Sequence, residues 1–214
     1  MKTKNAQFLS CILAIAGTTL LAMAVILRGY GYIDDYFAVR RAETLLKEVS
    51  VRILTELPTY EQHEGAQVQN PEDGTLVSEV VMHHETLGYS TIGIISIPIL
   101  KVRLPVISEC TDEFLKISAC WYRGEISPMP SRMVISAHNY RNHFGRLHKL
   151  DPFDEVIFQA NNGMTYTYRV TELLEIDQYD HDALFDGDWD MTLFTCTKDR
   201  VRRVLVRLKE KEYG

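Results

Sequence analysis

The sequence predicts a mostly-β domain, a closed eight-stranded β-barrel with short helices, preceded by an N-terminal transmembrane helix and a helical stalk. Three observations predict it. From Tyr89 onward, short β-branched runs recur with turn residues between them. Asn161-Asn162-Gly163 separates two of those runs, a strong hairpin signal. Before Tyr89 there is instead one long apolar run, then a run with helical spacing. The expected organisation is 1–28 as cytoplasmic tip and membrane anchor, 29–88 as an extracellular helix and linker, and 89–214 as the barrel.

The anchor comes first. Phe8 to Leu27 is apolar apart from Ser10, Gly17, Thr18 and Thr19, and its 20 residues would span roughly 30 Å as a helix, the thickness of a bilayer's hydrocarbon. A cleaved signal peptide is the competing reading. Its small-x-small site would be Ala22-Met23-Ala24, but Val25-Ile26-Leu27 extends the apolar run beyond that point. Lys2 and Lys4 precede the span, which orients the N-terminus to the cytoplasm and everything after Arg28 outside. Tyr36 to Leu57 then reads as a helix: Phe37, Val39, Ala42, Leu45, Leu46, Val49, Ile53 and Leu54 recur in steps of three and four, and Pro58 stops it. Thr59 to Ser78 is polar and reads as a linker or loop.

The barrel elements follow in order. Thr91 to Pro98 and Lys101 to Val106 are strands split by a turn. Thr111 to Ser118 is a short helix with Thr111 as N-cap and Asp112 and Glu113 in its first turn. Ser127-Pro128-Met129-Pro130 is a loop, and Met133 to Ser136 a strand that runs into His138. Asn142 to Leu150 holds a helical turn. Glu155 to Ala160 and Met164 to Ile176 form the hairpin, and Thr192 to Cys196 and Arg202 to Leu208 are the last strands.

Composition bounds the chemistry. With 214 residues, 46% of them hydrophobic, the chain can build one ordinary core plus appendages. A net charge of −6 argues against nucleic-acid binding, which calls for a basic face. The four cysteines, Cys11, Cys110, Cys120 and Cys196, show no C-x-x-C pair, so no zinc site or dense disulfide framework is expected. Cys110 and Cys120 could bridge, but the sequence leaves their redox state open. His83-His84-Glu85 lacks a third distant ligand, and neither metal nor cofactor is expected.

The reactive candidates lie at strand ends. Cys196 closes one apolar strand, and arginines follow within a few residues; cations favour the nucleophilic thiolate. A buried cysteine packed as a small hydrophobe is the competing reading. His138, 58 residues earlier, lies just past a strand end, where functional groups often sit. Cysteine and histidine together suffice for thiol acyl transfer, and an arginine can hold the oxyanion. Arg200, Arg202 and Arg203 compete for that role. Alternation groups Arg203 with Leu205 and Arg207, and Arg202 with Val204 and Val206, but does not say which group faces Cys196. His143 and His148 read as surface or packing residues.

Thr192-Leu193-Phe194-Thr195-Cys196 with a following strand arginine resembles the T-L-x-T-C…R signature of sortases, the cysteine transpeptidases of Gram-positive cell surfaces. Ile94-Ile95-Ser96-Ile97-Pro98, Val134 to Tyr140 and Asn142 to Leu147 resemble other stretches of that family, in the right order, over residues 89 to 209. The resemblance implies that Cys196 attacks the Thr–Gly carbonyl of an L-P-x-T-G-like sorting signal. It implies that His138 moves protons and that Arg203 steadies the oxyanion, since Arg203 to Arg207 matches R-x-x-V-R. Thr195, Ala137 and Asn139 become substrate-binding candidates. The implied partners are surface proteins bearing a C-terminal sorting signal, an amine acceptor on peptidoglycan or a pilin, and the membrane, with no nucleic acid. Ala137 departs from the family's usual glycine. No aspartate-aromatic lid motif lies between Pro58 and Tyr89, and no second span follows the barrel, which leans towards a class B or class D-like member. Two other functions compete: a tethered barrel that binds peptides without catalysis, and a cysteine phosphatase using Cys196-x5-Arg202. The latter's loop would need glycine and a following helix, neither of which is present, and Asp199 would repel phosphate.

Overall fold

A computed structural model describes residues 2–56, 84–126 and 130–211. The linker expected at 59–78, His83 of the His-His-Glu run and most of the 127–130 loop lie outside the described residues. The chain forms two compact units, 1–37 and 38–214. Helix α1 spans Lys2–Glu56 and ends two residues before Pro58, which disfavours helix in the residue preceding it. Its N-terminal part is the one described helix long and apolar enough to cross a membrane, with a window of mean hydropathy 2.0. Leu13, Leu20, Leu21 and Val25 are each more than 60% exposed.

In the second unit the described strands form one sheet of nine: β1 (His84–Thr86), β2 (Tyr89–Ile97), β3 (Val102–Ile107), β4 (Ala119–Glu125), β5 (Ser131–Ser136), β6 (Glu155–Ala160), β7 (Thr165–Asp177), β8 (Met191–Cys196) and β9 (Arg202–Glu210). Their order is β1-β2-β3-β4-β5-β8-β9-β7-β6, and β6 also pairs with β2. The run of eight from β2 to β6 is therefore joined at its ends, and β1 is one strand more than the eight expected. Helix α2 (Asp112–Leu115) begins at Thr111, whose side chain accepts a hydrogen bond from Phe114 N, as an N-cap should. The Asn-Asn-Gly turn forms as expected: Gly163 takes φ +85° and donates to Ala160 O.

Alternation sorts each strand between two environments. Inside, Ile95, Leu104, Ile135, Phe158, Tyr168, Leu193 and Val206 belong to one buried cluster. Outside, Val134, Phe194 and Leu205 pack under Leu184, which belongs to a single 3₁₀ turn at Asp182–Leu184 between β7 and β8. A third cluster corrects the expected stalk. Leu45, Val49 and Ile53 of α1 are buried against Ile94, Ile107 and Cys120, so this part of the helix is docked on the sheet. Burying each such side chain is worth about 1.5–3 kcal/mol. Phe37 and Leu54, expected on the same stripe, are exposed.

Candidate active site

The parallel pairing of β5 with β8 keeps a constant offset, from Met133 opposite Met191 to Ser136 opposite Phe194. Two hydrogen bonds carry it past the end of β5: Ala137 N donates to Phe194 O (3.3 Å) and Thr195 Oγ1 to Ala137 O (2.8 Å). Continued two residues beyond β5, the same offset of 58 would set His138 opposite Cys196, a strand spacing of about 4.8 Å away. On the other side of Cys196, the antiparallel register makes Arg203 its direct partner on β9.

The three residues also share a side of the sheet. On β8, Met191 and Leu193 point into the core and Phe194 outward, so Cys196, two residues on, is outward and exposed. On β9, Val204, Val206 and Leu208 are inward, and Arg203, Leu205 and Arg207 outward. On β5, Val134 is outward, and the same parity reaches His138. Alternation, anchored now by the core, puts Arg203 on the side of Cys196. Arg202 falls on the side opposite Cys196, in an exposed ion pair with Glu175 at 3.5 Å. Arg200 sits in the turn with φ +61°. That turn is a tight β-hairpin closed by Thr197 N donating to Arg202 O (2.8 Å); it is not the strand-loop-helix a phosphate cradle requires.

Arg203 lies over the Phe194 ring, with Cζ 5.4 Å from its centroid, a cation–π contact. Its Nη1 is buried without a hydrogen-bond partner among the described residues. A charged donor of this kind can hydrogen-bond an acceptor brought to the outward face.

The loop after β5 folds back tightly. Phe144 N donates to His138 O (3.1 Å), and both His143 N and Gly145 N donate to Tyr140 O (3.0 Å each). A Cβ on Gly145 would collide with the Asn139 carbonyl, so only glycine permits this return. The Tyr140 ring lies 4.6 Å from the His138 ring, and edge-on to His143 at 5.3 Å. His143 is fully buried. Burial, then the neighbouring His138 charge, push its pKa down to about 4, so at neutral pH it is an uncharged packing residue. His148 is exposed. Tyr140 was quoted in the sequence pattern without a role; its place against His138 needed the loop geometry.

The expected substrate-binding residues are placed less directly. Thr195 and Ala137 are both about 3% exposed, and the Thr195 hydroxyl is spent on the Ala137 carbonyl. They fasten β5 to β8 and offer substrate no open surface. Asn139 is half-buried and its Nδ2 donates to Thr197 O (3.2 Å), tying the histidine loop to the hairpin beyond Cys196.

On the same outward side a cavity of about 450 Å³ lies alongside β8, lined in part by Arg123, Val134, Phe185, Trp189, Thr192 and Arg207. Thr192 is four residues before Cys196, roughly 13 Å along a strand. Arg207 donates to Leu184 O, Thr192 Oγ1 and Ala183 O. Arg132 donates to Phe185 O and Gly187 O. These two guanidiniums hold the 183–187 backbone as the cavity's outer wall. The sequence pattern passed over that wall, although Arg207 shares parity with Arg203. Among the described residues no three metal-ligating side chains cluster.

A family model described as a sortase domain matches residues 95–211, more than half of the chain. The chain belongs to the sortase family. Among solved structures it is similar to sortase C-1 from Streptococcus pneumoniae, with 28% identity and a TM-score of 0.52, over 58% of this chain and 68% of that one. It is similar to sortase A from Corynebacterium diphtheriae, with 24% identity and a TM-score of 0.52 over 59% of this chain; it spans 63% of that sortase. A sortase D5 transpeptidase from Clostridium perfringens shares the fold at 22% identity and a TM-score of 0.50, over 57% of this chain and 79% of that one. No curated protein matches the chain. Sortases as a family are cysteine transpeptidases. The matched segment contains His138, Cys196 and Arg203.

Proposed function

We propose that this sortase-family chain is a membrane-anchored cysteine transpeptidase acting on an L-P-x-T-G-type sorting signal. One observation supports the reading: Cys196 pairs with Arg203 across β8 and β9, and β5, which runs into the loop bearing His138, pairs with β8 on its other side at a constant offset. Thiolate Sγ of Cys196 attacks the threonine carbonyl carbon. The oxyanion takes the unpaired Arg203 Nη1 donor. As the C–N bond breaks, His138 gives a proton to the leaving glycine amine, and the peptide remains as a thioester on Cys196. An incoming amine then loses its proton to His138 and displaces the sulfur. The cavity beside β8 suits the acyl half of the substrate, which must stay bound while one amine leaves and another enters. Thr195, Ala137 and Asn139 keep the histidine loop in register and support binding from beneath.

The finer reading follows the family. The joined sheet is the closed barrel, α1 is the single-pass anchor, and the barrel lies on the extracellular side. The substrates are surface proteins joined to peptidoglycan or a pilin, and the enzyme is class B or class D-like. The class rests on the sequence between 58 and 89.

The purified full chain in detergent should cleave a fluorogenic L-P-x-T-G peptide and join it to an added amine. Cys196→Ala should lose roughly 10³-fold or more of that activity with an unchanged melting temperature, because Cys196 is exposed. Retained activity in that variant would refute the assignment. Release of phosphate from p-nitrophenyl phosphate, or tight peptide binding without turnover, would favour the rival functions instead.

A further inference from the structure

Two cysteines outside the active site lie in the apolar cluster on the outward face of β2, β3 and β4. Cys110 follows β3, and Cys120 is the second residue of β4. The two strands pair in parallel, Val106 opposite Ala119 and Ile107 opposite Cys120. Between them the chain makes only the α2 turn, held by Ser118 N donating to Phe114 O (3.0 Å) and Ser118 Oγ to Pro105 O (2.6 Å). This short loop sets the two cysteines at neighbouring strand ends in one apolar cluster, where the Cys120 S–H donates to Ser118 O (3.9 Å). Both belong to the cluster on which Leu45, Val49 and Ile53 of α1 dock. Both are free thiols in this structure.

We propose that Cys110 and Cys120 are a disulfide-forming pair that closes into a cross-link under the oxidising conditions outside the cell. The two thiols differ in a way that sets the order of events. Cys110 is half-buried and Cys120 has no exposed surface. Side-chain hydrogen bonding with Cys120 holds the Cys110 pKa below its ordinary value, against the opposing effects of burial and Asp112. The same interaction, and then burial, push the Cys120 thiol up. Cys110, the more accessible of the two, is thus the thiol that reacts first, and the buried Cys120 the one that resolves.

The oxidant is a small-molecule disulfide R–S–S–R. The Cys110 thiolate attacks one of its sulfurs, breaking R–S–S–R, releasing one R–S⁻ and forming the mixed disulfide. Cys120 then attacks the Cys110 sulfur, and its proton goes to the departing R–S⁻. The balance is two protein thiols and one R–S–S–R giving one protein disulfide and two R–SH. The bond would close the 110–120 loop and pin β3 to β4 beneath the docked helix, constraining the unfolded chain.

The test is peptide mapping of the full chain, denatured and alkylated without reductant. One sample comes from cells that expose it to an oxidising compartment; a second is equilibrated with oxidised glutathione. A linked 110–120 peptide is expected in both, with Cys196 alkylated. Adding reductant should lower the melting temperature of the wild type by several degrees, and leave unmoved a variant with Cys110→Ser and Cys120→Ser. Alkylation of both Cys110 and Cys120 in both samples would overturn the proposal. So would linkage of either one to Cys196. Peptidase activity does not enter the readout, so this proposal and the functional one fail separately.

Discussion

Along the ends of β8 and β9, neighbouring residues have opposite surroundings. Leu193, Val204 and Val206 face the core and are 5% exposed or less. Phe194, Cys196, Arg203 and Arg207 face the other way, where the thiol is exposed and two guanidinium nitrogens, Arg203 Nη1 and Arg207 Nε, are buried without a partner among the described residues. The inward side is closed to solvent, while the outward side holds an exposed thiol and arginine donors left unspent. The first side produces the second. Side chains alternate with a period of two, so burying the inward set in the core fixes which residues look outward, and a one-residue slip would bury the charges.

The sharpest way to break this comparison is to cut adjacent arginines on opposite sides. Arg203→Ala removes the guanidinium paired across from Cys196, and kcat should fall by roughly 10²- to 10³-fold, the loss typical of an oxyanion donor. Arg202→Ala removes only an exposed ion pair with Glu175, worth about 0–1 kcal/mol, and kcat should change less than about twofold. Steady-state kinetics on a sorting peptide reads both. The reverse order of effects would mean that the outward side carries no chemistry at Arg203.

The same rule explains what was legible in the sequence. Strands β2, β3, β6, β7, β8 and β9 are β-branched runs bounded by turn residues, and they stand where those runs predict. Strand β4 was missed because its alternation is broken twice, between Trp121 and Arg123 and between Arg123 and Glu125. Gly124, at φ +106°, packs so closely on the Arg132 carbonyl that no side chain fits there. Cys196 and His138 were legible as residue types at strand ends. Their adjacency was not, because it depends on the parallel register of β5 and β8, set by strands more than fifty residues apart. The choice among Arg200, Arg202 and Arg203 was closed to the sequence for a simpler reason: alternation gives two sides, and only the packed core says which is inside.

The division between buried and outward continues into the loop after β5, where it separates two histidines. His138 is half-buried beside Tyr140, while His143 is fully buried with its pKa lowered from 6.5 to about 4. The unfolded chain therefore binds a proton below pH 6.5 that the folded one refuses until about pH 4. Folding stability should be undiminished by this group above pH 6.5 and fall as pH drops through that window, by about 3 kcal/mol at pH 4. His143→Phe should flatten the pH dependence of urea unfolding between those limits relative to wild type. An identical slope in the two proteins would place the His143 ring in contact with solvent.

The smallest effect tests the seam between the two sides. Thr195 is the inward residue next to Cys196, and its hydroxyl donates to the Ala137 carbonyl one residue before His138. It joins the two strand ends directly beneath the site. Thr195→Val keeps shape and deletes that donor, so stability should fall by about 1 kcal/mol. Because the bond sets the relative level of imidazole and thiol, kcat should fall with it while KM stays the same, since misplacement of reacting groups is felt in the chemical step. Thr195→Ser restores the hydroxyl and should restore kcat, although it loses a buried methyl group. A Thr195→Val enzyme that is less stable but turns over at the wild-type rate would show that the backbone pairing of β5 and β8 holds His138 level with Cys196 without this bond.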